Sequence, residues 1–289
     1  MTLPLELIIS SLTAATMLAV GLELDIHKIP AIIRRKLPLP GLLLGQMLLI
    51  PTLAILIVRL VPVPDSTRFA VLMLAACPTG NIANLFTLLA RGDLELTVSA
   101  SAISCLLAPV VMPVTFTVYR GLLGAGFPFI VPAGTLLIRI FVLTWAPIVL
   151  GLTLRSIRSR GMARFSTGLR HACALGTVAL CVFICVTRAS QLTIGWKTNI
   201  TISTMLILAA LAGAAGIASA LRLPADDAIS YMTSVPARPI GVLAAVTVTT
   251  LPRHDDLVFV LVYFVLETGV IMAVVGAYRW RGSMQAVST

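Results

Sequence analysis

Charge is what this chain has least of. Only 11% of its 289 residues are Asp, Glu, Lys or Arg, aromatic residues make up 6%, and there are 3 histidines. That scarcity removes the solvated faces of a soluble domain, while 58% hydrophobic content and a mean hydropathy of +1.04 exceed what a soluble core can hide. Catalytic signatures are missing as well: no Gly-rich phosphate loop, no Ser/His/Asp arrangement and no HExxH helix occurs. His27, His171 and His254 fall far apart in different loops or helix ends, so the sequence offers no nucleophile and base pair and does not read as an enzyme. The 5 cysteines, Cys77, Cys105, Cys173, Cys181 and Cys185, match neither a zinc-ligand spacing nor a disulfide framework; they read as small buried hydrophobes.

What is present is a succession of apolar runs about 20 residues long, the length that crosses a bilayer. They predict an all-α polytopic membrane protein of nine transmembrane helices, over residues 5–23, 40–61, 67–91, 95–119, 131–154, 170–188, 198–221, 225–250 and 256–278. The first run lacks the basic flank of a signal peptide and reads as a permanent helix. The net charge of +10 does not predict nucleic-acid binding, because the Lys and Arg residues cluster between the runs. With alternating spans, most of the 21 basic residues, from Lys28 and Arg34 to Arg279 and Arg281, share one side; Arg59, Arg68, Arg120, Arg188, Lys197 and Arg253 take the other. The positive-inside bias therefore puts the N-terminus outside and the C-terminus in the cytoplasm, in a plasma (inner) membrane.

Two spans are interrupted. Cys77-Pro78-Thr79-Gly80-Asn81-Ile82-Ala83-Asn84 breaks the third, and Pro236-Ala237-Arg238-Pro239 breaks the eighth. Lipid offers no partner to backbone freed by proline and glycine, so such breaks persist only against protein or a water-filled cavity. Helix, helix, broken helix, helix is the order in 5–120 and again in 165–280, entered from opposite sides and joined by the helix at 131–154. Within one transporter domain over 1–289, this is the pattern of inverted-topology repeats whose broken helices cross near the bilayer centre. The loop from Arg155 to Arg170 is the expected boundary between the halves.

Beside the first break, Thr97, Ser101 and Ser104 share one face of the fourth span and, with Asn84, form a polar stripe suited to a monovalent cation or the polar head of a small solute. The alternative is packing, since membrane Ser and Thr often bond a carbonyl of their own helix. In the second break Arg238 stays charged at midplane and needs a partner, either Glu267 of the ninth span or an anionic substrate. Glu267 thus reads as a charge pair or a proton carrier. Asp226 and Asp227 read as ordinary acids of a helix N-terminus, Arg139 as a snorkelling residue, and Glu23, Asp25 and His27 as the solvated end of the first helix.

The run from Cys77 to Asn84, with Leu89-Ala90-Arg91-Gly92-Asp93, Leu96-Thr97-Val98-Ser99 through Leu107-Ala108-Pro109, Met17 to Leu22, and the Gln46 to Pro51 spacing, resembles the bile acid:sodium symporter family. Members of that family carry a CPGGTASN-like break and an AKGD-like turn. The resemblance implies two sodium sites behind the crossing helices. Positions matching the first are Ala83, Asn84, Thr97, Ser101 and Met232; those matching the second include Gln46, Met232 and Pro236. The family's shared glutamate is Met232 here, which puts sodium coupling in question because a buried cation without a compensating charge is costly. Arg238 could supply the missing positive charge itself.

These readings predict a secondary transporter of a small organic anion, a bile-acid-like or pantoate-like carboxylate, working by alternating access in a lipid bilayer. Gln46, Asn84, Thr97 and Ser101 are the expected ion-binding residues; Thr79, Gly80, Asn81, Ser234 and Arg238 are expected to meet substrate. No cofactor is expected beyond Na+ or H+ as coupling ion. A sodium-coupled symporter of the same fold and a non-transporting membrane sensor or scaffold are the alternatives, and oligomeric state is left open.

Overall fold

Prolines and tight turns decide where the apolar runs become helices and where they stop. The computed structural model describes residues 2–23, 38–79, 82–124, 138, 141–157, 159–187, 195–239 and 256–287. All regular structure among them is helical. In chain order the helices are α1 (Thr2–Glu23), α2 (Pro38–Leu44), α3 (Ile50–Leu60), α4 (Asp65–Ala76), α5 (Ile82–Ala90) and α6 (Leu94–Leu123). There follow α7 (Ala146–Ile157), α8 (Ser159–Thr187), α9 (Trp196–Ala220), α10 (Ala225–Ser234) and α11 (Asp256–Val287). A π-helical turn at Gly45–Leu49 fuses α2 to α3, and a second at Phe141–Trp145 leads into α7.

Among the described residues, four stretches are long and apolar enough to cross a membrane: Pro38–Leu60, Leu94–Leu123, Trp196–Ala220 and Val258–Trp280. Their outward faces carry exposed Leu44, Leu48, Leu56, Val110, Val114, Leu208 and Val265, the apolar surface that lipid would cover. Shorter apolar helices lie at Leu7–Glu23, Thr67–Ala76 and Phe141–Ile157.

The described helices gather into two groups. α1 packs on α7 and α8, and the first of these pairs is a backbone contact. A methyl group added at Gly21 would lie 2.3 Å from the Ile148 carbonyl oxygen, and one at Gly151 would lie 2.6 Å from that of Leu18, so only glycine admits this approach. The other group holds α2 to α6 and α9 to α11 around a core that includes Ile50, Leu72, Met73, Leu206, Phe259 and Tyr263. α6 bridges the groups, touching α1 and the Phe141–Trp145 turn; there the Trp145 indole donates to Leu106 O at 2.7 Å.

α8 corrects the sequence reading. The expected loop from Arg155 to Arg170 is instead helical where described: Arg155 to Ile157 ends α7, and Ser159 to Arg170 is the first part of a 29-residue helix. Glycine lowers helix propensity without forbidding a helix whose neighbours hold it.

Candidate functional site

The first break follows from local chemistry. Cys77 precedes a proline and is extended (φ −65°, ψ 144°), which closes α4. Thr79 lies within the break, Gly80 and Asn81 fall outside the described residues, and α5 resumes at Ile82. The second break follows α10 at Val235, Pro236, Ala237, Arg238 and Pro239, and residues 240–255 are again outside the described set. Arg139 is also outside it, as are Asp25 and His27.

The two breaks meet. Arg238 is 1% exposed, and its Nη1 donates to the Cys77 carbonyl at 2.6 Å while Nη2 donates to the Gln46 carbonyl at 2.9 Å. Both acceptors are carbonyls their own helices have released. Cys77 stands at the negative end of α4 with Pro78 behind it. Gln46 sits in the π turn, where bonding runs from residue i to i+5, and the residue five after it is Pro51, which has no N–H. Further contacts tie the breaks to long helices: the Tyr263 hydroxyl of α11 donates to Pro236 O at 2.8 Å, and Cys105 Sγ of α6 lies 3.5 Å from Thr79 O.

Glu267 does not close an ion pair with this guanidinium. It is fully buried on α11, where its carboxyl oxygens meet no side-chain hydrogen-bond partner, and it acts on Arg238 through proximity to that residue's backbone and charge. The Gln46 side-chain amide, the Thr79 hydroxyl, the Ser234 hydroxyl and the Thr268 hydroxyl are likewise buried without partners. Native proteins leave few such groups; those of Gln46, Thr79 and Ser234 lie on the π turn, in the first break and at the end of α10, while others, such as the Ser203 hydroxyl of α9, lie elsewhere. A cavity of about 10 Å³, room for one water, lies against Gln46, Cys77, Pro78 and Ser104.

The remaining expected ion ligands stand together, bonded to one another. Ser101 Oγ donates to Asn84 Oδ1 at 3.3 Å. Thr97 Oγ1 lies 3.2 Å from Thr87 Oγ1, which lies 2.7 Å from Thr233 Oγ1, so three hydroxyls join α5, α6 and α10. Ser104 belongs to the packing alternative, donating to Ser101 O of its own helix at 2.9 Å. Among the described residues no group of three or more His, Cys, Asp or Glu could hold a metal. Thr87 and Thr233 were not singled out by the sequence, although Thr87 follows Asn84 at i+3 and therefore shares its face.

Glu23 is a correction. It was read as part of a solvated helix end, yet its side chain is 9% exposed and its carboxylate pairs with Arg170 of α8 at 3.3 Å. Asn84 Nδ2 reaches the same carboxylate at 3.4 Å, and Arg155 caps the end of α1 by donating to the carbonyls of Leu22 and Glu23. One acid therefore links α1, α8 and the first half-helix after the break. Asp226 and Asp227 do sit in the first turn of α10, as read. With Asp93 they line an open depression of about 560 Å³ at Pro38, Gly92 and Pro224, whose acidity is unsuited to an anion.

A family model for the sodium bile acid symporter family matches residues 12–194. The chain is 33% identical over 159 residues to human sodium/bile acid cotransporter 4, a match covering 54% of this chain and 36% of that one. It is 27% identical over 164 residues to an uncharacterized sodium-dependent transporter of Bacillus subtilis, YocS, covering 57% and 50%. With the human hepatic sodium/bile acid cotransporter the identity is 25% over 206 residues, covering 71% and 57%. The matched stretch thus spans roughly a third to little more than half the length of these relatives.

Proposed function

Because the chain belongs to the sodium bile acid symporter family, a family of transporters rather than enzymes, we propose that it is a secondary transporter carrying a small organic anion, a carboxylate, across a plasma membrane by alternating access. The observation that carries this reading is the set of buried, unpartnered polar groups at the two breaks: the Gln46 amide and the hydroxyls of Thr79 and Ser234. A protein built only to hold its helices together would pair them. Arg238 gives the same place a fixed positive charge.

In this reading the chain spans the membrane nine times with its N-terminus outside, and 5–120 and 165–280 are inverted repeats joined by 131–154. The α1, α7 and α8 group is the panel against which the core moves. The Glu23 contact to Asn84 crosses from panel to core, so it must part when the core swings. Asn84, Thr97, Thr87 and Ser101 form the polar floor, and Gly80 and Asn81 complete the first break.

Counterflow in proteoliposomes tests the proposal: vesicles loaded with an unlabelled carboxylate should accumulate the labelled compound transiently. Binding with no exchange, across a panel of bile-acid-like and pantoate-like carboxylates, would replace transport by a sensor.

A further inference from the structure

We propose that Arg238 is a tethered cation: its guanidinium fills a site built for a small monovalent cation, and the chain therefore works without sodium. The inference deepens the transport reading and rests on it only for the word coupling. The site consists of the Cys77 and Gln46 carbonyls, each left without a helical donor for its own local reason, together with the negative end of α4. Hard carbonyl oxygens released by broken helices are what coordinate a sodium ion in unwound membrane helices. Here the fixed charge arrives on the second break instead and bridges it to the first and to the π turn.

Two further observations exclude the ordinary arrangement. Among the described residues the carboxylate that acts on this place is Glu267, which closes no ion pair with the guanidinium but lies within electrostatic reach of Arg238, so its charge is already set against that of the arginine and not against a second, free cation. A sodium ion added beside a buried arginine would meet a repulsion that the single acid nearby, already facing Arg238, does not offset. At the other candidate place, the oxygens of Asn84 and Ser101, and of Thr87, Thr97 and Thr233, satisfy one another. Three of the residues expected to bind ions are thus already hydrogen bonded, and the carbonyl of the fourth, Gln46, is taken by Arg238.

The test is thermal unfolding of the purified full-length chain in detergent, in sodium, potassium and choline chloride at matched ionic strength. The wild type should unfold at the same temperature in all three; a sodium-specific rise would overturn the proposal. Arg238→Ala frees both carbonyls, so its midpoint should fall by roughly 5 °C or more and recover in part in sodium alone. A variant as stable as the wild type in every salt would also overturn it. Arg238→Lys keeps the charge and should stay folded and indifferent to salt; a sodium response from this variant would count against the tethered charge. Counterflow separates this from the transport reading. Exchange that requires sodium defeats the tethered cation alone, whereas absence of exchange in every salt, with a wild type indifferent to sodium in unfolding, defeats transport alone.

Discussion

Arg238 and Arg170 are both guanidinium groups withdrawn from water, and their surroundings answer the charge in opposite ways. Arg170, 11% exposed at the end of the panel, meets a carboxylate, Glu23, which Asn84 also holds. Arg238, in the core, closes no ion pair with a carboxylate, Glu267 acting on it only at a distance, and its guanidinium is held by two main-chain carbonyls. A carboxylate partner can be released, because each ion regains water near the membrane surface and salt screens the attraction. Carbonyl partners in the buried core have no such refuge. Under the proposed alternating access, the difference assigns one contact to a moving seam and the other to a fixed centre: charge on charge would join the groups that separate, while charge on backbone locks the two breaks to each other.

The largest effect should come from the fixed centre. Arg238→Ala leaves two buried carbonyls without donors, and at about 1–3 kcal/mol each the loss is several kcal/mol, read as a depressed unfolding midpoint in potassium chloride. Next is the seam. Glu23→Gln retains a partner for Asn84 but leaves Arg170 uncompensated, and should cost about 2 kcal/mol at low ionic strength and less in high salt. An effect of the same size in both salts would erase the contrast between the two arginines. Thr87→Val removes the hydroxyl between Thr97 and Thr233 and should cost about 1 kcal/mol without changing the salt response. Smallest is Asp93→Ala, which deletes the cap that accepts from the Leu96 amide at 3.0 Å at the start of α6, for roughly 0.5–1 kcal/mol. This last variant sets the size of a loss that touches neither arginine.

Much of this was legible in the residues. Pro78 and the Pro236 to Pro239 pair announced both breaks, because proline removes a donor wherever it falls. Arg238 announced itself by being charged inside an apolar run. Its actual partners were not legible, since a carbonyl carries no letter of its own: nothing in Gln46 says that its oxygen is free until the π turn brings it into register with Pro51. Glu23 was misread for a related reason. A carboxylate at the end of an apolar helix looks solvated in one dimension, and only the approach of Arg170, 147 positions later in the chain and inside a helix taken for a loop, buries it. The hydroxyl chain of Thr87, Thr97 and Thr233 lies between these cases, predictable for Thr97 from its stripe and invisible for Thr233 without the packing of α10 on α5.

Cys77 gives the first break a clock. Its carbonyl is held by Arg238 and its thiol is free and buried, so a maleimide can reach the sulfur only when the break opens. With maleimide in enough excess to outpace reclosing, the labelling rate of this one position, read by peptide mass, gives the opening rate with no substrate identified. Cys105, also free and buried, with its sulfur at the Thr79 carbonyl of the same break, serves as a second hand, and the order in which the two thiols react tells whether α4 or α6 is uncovered first.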